Sequence, residues 1–204
     1  SVRKQKKIFL FLIAFFFFID GVYTIIDMAT AYGSALELDS TGLLLALLVT
    51  QFVAFPFSIL FGRLAEQYDT GKLILTCIAA YTGITVFAVF MKAQWQFWVL
   101  AIFVGMFQGG IQALSRSYFA KIVPPERSGE YFGLMDICGK GASFMGTTVV
   151  GLASQAFGSI NIGVSAIVFL FLAGALFFMK TEHSGSESMK NQENIIMEQQ
   201  LFHD

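Results

Sequence analysis

IFLFLIAFFFFIDGVYTIIDMATAY, residues 8–32, is an apolar run whose charges are Asp20 and Asp27 alone. A helix rises about 1.5 Å per residue, and roughly 20 mostly apolar residues cross about 30 Å of hydrocarbon, so this stretch is long enough to span a bilayer. Residues 42–61, 73–91, 97–119, 131–157 and 160–179 repeat the pattern. With residue 8 starting from the cytoplasm, Arg3, Lys4, Lys6, Lys7, Arg63, Lys72, Arg116, Lys121, Arg127, Lys180 and Lys190 all fall inside. Of the 13 Lys and Arg, only Lys92 lies outside, and Lys140 lies within a span. That bias is what the positive-inside rule demands of six spans with both termini cytoplasmic. The expected fold is an all-α integral membrane protein, a six-transmembrane-helix bundle, placed in the plasma (inner) membrane.

The composition agrees. The chain is 56% apolar and 16% aromatic, with only 13% charged residues, about half the share of a soluble domain. Its basic residues are spread over short loops, which excludes a nucleic-acid partner and leaves the lipid bilayer. Cys77 and Cys138 fall in different spans with no histidine nearby, so they form neither a disulfide framework nor a metal site. A signal-peptide reading of Arg3–Lys7 and residues 8–19 is opposed by topology, because its removal reverses the charge bias of every later loop. Three regions are expected. Residues 1–7 read as the end of a cytoplasmic linker, in a chain that begins with Ser. Residues 8–180 form the membrane domain, and residues 181–204, rich in Ser, Gln, Asn and Glu, a disordered cytoplasmic tail.

The loops carry turn signals. Ser40 or Thr41 is the expected N-cap of the second span, and residues 124–129, Pro-Pro-Glu-Arg-Ser-Gly, break the fourth from the fifth. Gly105 and Gly109, like Ala142 and Gly146, have the small-xxx-small spacing of closely packed helices.

Ionisable groups inside a membrane are costly and mark functional candidates. Span one carries Asp20, Tyr23, Thr24 and Asp27 on one helical face, with Asp20 about 18 Å along the helix, near the bilayer middle. Span four carries Gln108, Gln112 and Ser115; span five carries Asp136, Lys140, Ser143 and Thr147. Asp136 and Lys140 are four residues apart, close enough to pair, either as a neutralised structural pair or as one that a substrate or proton opens. Spans three and six lack such stripes, which suits a bundle lining a polar cavity. Enzymatic chemistry has little support: His183 and His203 lie in the tail, no nucleophile–His or metal-ligand spacing occurs, and no cofactor is expected.

Residues 62–72, Gly-Arg-Leu-Ala-Glu-Gln-Tyr-Asp-Thr-Gly-Lys, resemble the cytoplasmic signature of the major facilitator superfamily, with Glu66 for its Asp and two extra residues before Gly71. Residues 109–120, Gly-Gly-Ile-Gln-Ala-Leu-Ser-Arg-Ser-Tyr-Phe-Ala, followed by Pro124, Glu130-Tyr131-Phe132-Gly133 and Gly139-Lys140, resemble the "unknown major facilitator" family, which includes vacuolar amino-acid effluxers linked to autophagy. The resemblance covers residues 8–180 and implies the C-terminal six-helix half of a twelve-span transporter, one half of a major facilitator fold. Such halves rock about a central site near the midplane. It further implies that the first, fourth and fifth helices flank the cavity, that the partner is the missing N-terminal six-helix half or a second copy, and that the cargo is a small-molecule substrate. Glu66 is then expected at a cytoplasmic gate near the start of span five, its charge favoured by the helix dipole and Arg127. Arg116, about 31 Å along the helix from Trp95, sits at the same level as a gate or anchor.

These readings converge on a secondary active transporter moving a small polar solute, an amino acid being the specific candidate, by alternating access. Asp20, Thr24, Gln108, Gln112, Asp136 and Lys140 are expected at the substrate or coupling site, and Glu66, Arg116 and Arg127 at the cytoplasmic gate. The competing readings are a non-transporting six-span scaffold or receptor and an inactive truncated transporter.

Overall fold

The computed structural model describes residues 2–35 and 37–201, which form six long helices and, among the described residues, no strand. They are α1 (Val2–Ala35), α2 (Ser40–Gln67), α3 (Thr70–Val89), α4 (Gln94–Ile122), α5 (Ser128–Phe157) and α6 (Ile160–Leu201), with a 3₁₀ turn at Pro125–Arg127. Five of the six are long and apolar enough to cross a membrane by themselves. The exception is α5, 30 residues long, whose N-terminal half carries Asp136 and Lys140. A helix with that much polarity needs protein on its charged side.

Each boundary has a local cause. Asp39, rather than Ser40 or Thr41, caps α2: its Oδ1 accepts from the Gly42 amide at 2.8 Å. Asp69 caps α3 in the same way, accepting from the Lys72 amide at 2.9 Å. At α4 the cap comes from inside the helix, with Gln96 Oε1 accepting from the amides of Lys92 and Ala93. Gly158, at φ 67°, ends α5 in the left-handed conformation that a glycine adopts without strain.

Inside a bilayer the hydrophobic effect does not drive one helix against another, and close van der Waals packing must do it. The sequence supplies small residues where helices meet. A Cβ on Gly105 would lie 2.6 Å from the Thr50 carbonyl, and one on Gly109 would lie 2.7 Å from that of Ala54, so the α2 backbone rests directly on α4. The Gly105–Gly109 spacing thus serves a contact within the chain. Thr50 Oγ1 strengthens it, donating to the Ala46 and Ala101 carbonyls at 2.9 and 3.3 Å. The inner helix is α1, packed against α6, α5 and α4, with Phe11, Phe18, Ile19 and Val22 fully buried. By contrast α2 leaves Phe52 and Phe55 exposed, and α5 leaves Ile137 and Phe144 exposed.

At the end of the bundle bearing Lys7, Arg63, Lys72, Lys121 and Arg127, side chains tie four helices together. The Tyr118 hydroxyl on α4 donates to the Glu182 carboxylate on α6, and Glu182 lies over Gly71 in the first turn of α3, where a Cβ would meet its carboxyl carbon at 2.9 Å. Lys121 Nζ donates to Thr70 Oγ1 at 2.8 Å, and Lys7 Nζ sits 5.5 Å from the centre of the Tyr118 ring.

This network bears on both ends of the chain. Residues 2–7, expected as the end of a linker, form the first turns of α1. Residues 181–201, expected as a disordered tail, continue α6 beyond its anchored point at Glu182. The remaining tail residues 202–204, His203 among them, lie outside the described residues.

Candidate functional site

A cavity of about 450 Å³ opens between α1, α4 and α5. Its polar lining comes from Tyr23 and Asp27 on α1, Arg116 on α4, and Asp136, Lys140 and Ser143 on α5; Phe15 and Met135 contribute apolar wall. Positions 136, 140 and 143 fall on one face of α5 through their spacings of four and three. From Asp136 to Ser143 that face covers about 10 Å of helix, enough for a small solute to meet several of these groups at once.

The charges are arranged differently from the expected Asp136–Lys140 pair. Asp136 is bound across the helix interface to Arg116, Nη2 to Oδ1 3.2 Å, and their side chains are 53% and 62% exposed. The i,i+4 spacing leaves Lys140 near enough to compete, but Asp136 takes its hydrogen bond from the Arg116 guanidinium on the facing helix. Lys140 therefore reaches the cavity separately. At the far end, Ser143 Oγ donates to Asp27 Oδ2 at 3.0 Å. Asp27 is thus a wall of the cavity rather than merely a carboxylate at the membrane surface. Two cationic and two anionic side chains share one space, a layout suited to a solute carrying both kinds of charge.

Asp20 and Thr24, expected in this site, stand behind it. Both are fully buried. Asp20 Oδ1 accepts from the Gly146 amide of α5 at 2.8 Å and from Thr24 Oγ1 at 3.4 Å. Its second oxygen, Oδ2, is enclosed and has no hydrogen-bond partner among the described residues. The four polar residues of α1 therefore split: Tyr23 and Asp27 face the cavity, while Asp20 and Thr24 face the seam with α5.

On α4, Gln108 and Gln112 are half-buried and outside the cavity lining, and Gln108 Oε1 has no partner among the described residues. Ser115 is buried and donates to the Ile111 carbonyl at 2.6 Å. The stripe that leads to the site is instead Gln108, Gln112 and Arg116, each one turn from the next.

The expected gate is not assembled as a cluster. Arg116 is committed to Asp136 in the cavity. Arg127 holds Glu130, Nη2 to Oε2 2.6 Å, rather than Glu66, and that carboxylate raises the guanidinium's pKa further, so its charge is constant. Glu66 is exposed near the end of α2, a helix that packs on α4. Sequence reasoning missed the anchoring role of Tyr118 and Glu182; Glu182, just past the sixth span and level with Arg63 and Lys72, was its only signal.

Residues 1–190 match the family described as "Vacuole effluxer Atg22 like". The chain is 44% identical over 193 residues to a Bacillus subtilis (strain 168) protein named "Uncharacterized MFS-type transporter YxiO", covering 95% of this chain and 45% of that relative. It is 28% identical to Autophagy-related protein 22-2 of Aspergillus clavatus, covering 86% of this chain and 30% of the relative. It is 27% identical to Autophagy-related protein 22 of Cryptococcus neoformans var. neoformans, covering 84% and 34% respectively. The chain spans less than half the length of these curated relatives.

Proposed function

The chain belongs to the Atg22-like vacuole effluxer family, and from that premise we propose that it is the C-terminal six-helix half of a major facilitator transporter. It moves a small polar solute, an amino acid as the specific candidate, by alternating access. The observation that carries this reading is the cavity holding Arg116, Asp136, Lys140 and Asp27 on a face of the bundle formed by α1, α4 and α5. Charges so exposed at membrane depth cannot face lipid without great cost. A second six-helix half would cover them and complete a central site, and the matched relatives are long enough to contain one.

In this reading Arg116 and Lys140 receive an anionic group of the solute, Asp136 and Asp27 a cationic one, and Tyr23 and Ser143 add hydrogen bonds. Gln108 and Gln112 extend the polar track along α4 from Arg116. The basic end faces the cytoplasm, where Glu66 and Arg127 border the opening and residues 181–201 prolong α6. The charge bias of the loops supports cytoplasmic termini, and the proposed placement is the plasma (inner) membrane.

The test is counterflow of labelled amino acids into liposomes carrying the full-length protein. Saturable accumulation that Lys140→Ala abolishes is expected. No accumulation of any amino acid by a monodisperse, folded full-length protein overturns the amino-acid reading, and failure with other small polar solutes overturns the transporter reading.

A further inference from the structure

We infer that Asp20 is a positioning residue, whose carboxylate seats the backbone of α5 at Gly146 and so sets the turn of α5 that presents Lys140 and Ser143 to the cavity. The functional consequence rests on the transport reading above; the geometry stands without it.

Three observations carry the inference. The first is the bond itself, Gly146 N to Asp20 Oδ1 at 2.8 Å. An amide in the middle of a helix is ordinarily committed to the carbonyl four residues before it. A buried carboxylate taking that hydrogen as well clamps one helix to the backbone of another, with no side chain of α5 between them. The second is that Gly146 has no room for a side chain. A Cβ there would lie 3.0 Å from Asp20 Cγ and closer still to Asp20 Oδ1 and Thr24 Oγ1. The third is that Asp20 and Thr24 are fully enclosed, and Asp20 Oδ2 has no partner among the described residues. Among the described residues the carboxylate is oriented by Gly146 and Thr24 alone, out of reach of a solute in the cavity.

The seat lies one turn beyond Ser143, which makes its own bond from α5 to α1, Oγ to Asp27 Oδ2 at 3.0 Å. A helix transmits a rotation at Gly146 to Ser143 and Lys140 with little loss. The seam on one side of α1 thereby governs which groups of α5 line the cavity on the other.

The test uses the full-length protein with its native cysteines, Cys77 and Cys138 among them, replaced by Ala and a reporter Ser143→Cys. Labelling of the reporter by a membrane-impermeant, positively charged methanethiosulfonate is timed in the parent and in Asp20→Asn, Asp20→Ala and Gly146→Ala. Asparagine keeps an acceptor oxygen for the Gly146 amide, so Asp20→Asn is expected within about twofold of the parent rate. Asp20→Ala and Gly146→Ala are expected to shift the rate at least about fivefold, the effect of roughly 1 kcal/mol on a local equilibrium. Asp20→Ala, which only removes atoms, decides the matter if Gly146→Ala fails to fold. Equal rates in all four proteins overturn the inference. So does an Asp20→Asn protein that loses uptake while labelling at the parent rate, because charge rather than position is then what Asp20 supplies. A parent that transports no solute leaves the labelling comparison intact, so the two readings fail separately.

Discussion

Arg116 on α4 reaches across to Asp136 on α5, Nη2 to Oδ1 3.2 Å, and closes one end of the cavity with a bond that both partners expose to its interior. An ion pair so exposed contributes only about 0–1 kcal/mol, because water competes for both groups. A solute carboxylate can therefore take the guanidinium from Asp136 at small cost. Arg116→Ala and Asp136→Ala are each expected to lower thermal stability only slightly in detergent. Charge-assisted contacts to a ligand are worth about 1.5–3 kcal/mol, so uptake should fall roughly 10- to 100-fold. The double swap Arg116→Asp with Asp136→Arg should recover stability without recovering uptake. A large loss of melting temperature in the single variants would mean that the pair is structural.

Lys140 is the second cation of the cavity and belongs to a different turn of α5. Lys140→Met keeps the apolar stem and removes the charge. At an exposed position the stability change should stay within about 0.5 kcal/mol. Uptake of a solute bearing a carboxylate should fall at least about tenfold, and a solute lacking one should be much less affected. Parallel uptake series for the two solute types read out the difference. Equal losses for both would take Lys140 out of direct contact.

Much of this was legible in the sequence, and what was not shares one cause. Six long helices follow from the sequence, five of them apolar enough to span a membrane by themselves, and the polar stripes mark α1, α4 and α5 because a buried charge cannot be hidden by composition. Partner choice is another matter. Asp136 and Lys140 are adjacent on one helix, but whether Asp136 turns to Lys140 or to Arg116 depends on how α4 is rotated against α5. The polar face of α1 likewise spans about 100° of the helix, and only the contact with Gly146 separates Asp20 and Thr24 from Tyr23 and Asp27. Arg116, expected at the gate, could have been placed in the cavity, since it continues Gln108 and Gln112 at four-residue steps. The helical course of residues 181–201 was masked by their polarity, and their anchor, Glu182, acts through residues far away in the chain.

Gly105 tests the packing of α2 on α4. A methyl group there meets the Thr50 carbonyl at 2.6 Å, and backbone cannot swing aside as a flexible side chain can. Gly105→Ala is expected to cost about 1–3 kcal/mol through overpacking, and Gly105→Leu more. The measurement is the melting temperature of the purified protein, with Gly62→Ala as comparison, since nothing lies within 4 Å of a Cβ at that glycine. Equal melting temperatures for the two alanine variants would show that the α2–α4 contact is looser than its geometry.

The bond from Tyr118 to Glu182 makes the last prediction, because it anchors α6 where its apolar span ends. Tyr118 is buried, so Tyr118→Phe removes the donor while preserving the ring that Lys7 covers. A lost hydrogen bond to a charged group costs about 1.5–3 kcal/mol when its partner cannot find water, and less here because Glu182 is only half-buried. Amide hydrogen exchange should then quicken over residues 178–190, with little change in α2 or in the N-terminal half of α4. Gly71→Ala should act on the same segment from the other side, since its methyl group displaces the Glu182 carboxyl from the first turn of α3. Combining the two substitutions should add little to either, as both release one anchor. Faster exchange spread evenly over all six helices would instead mean that the network supports the whole bundle and not the end of α6.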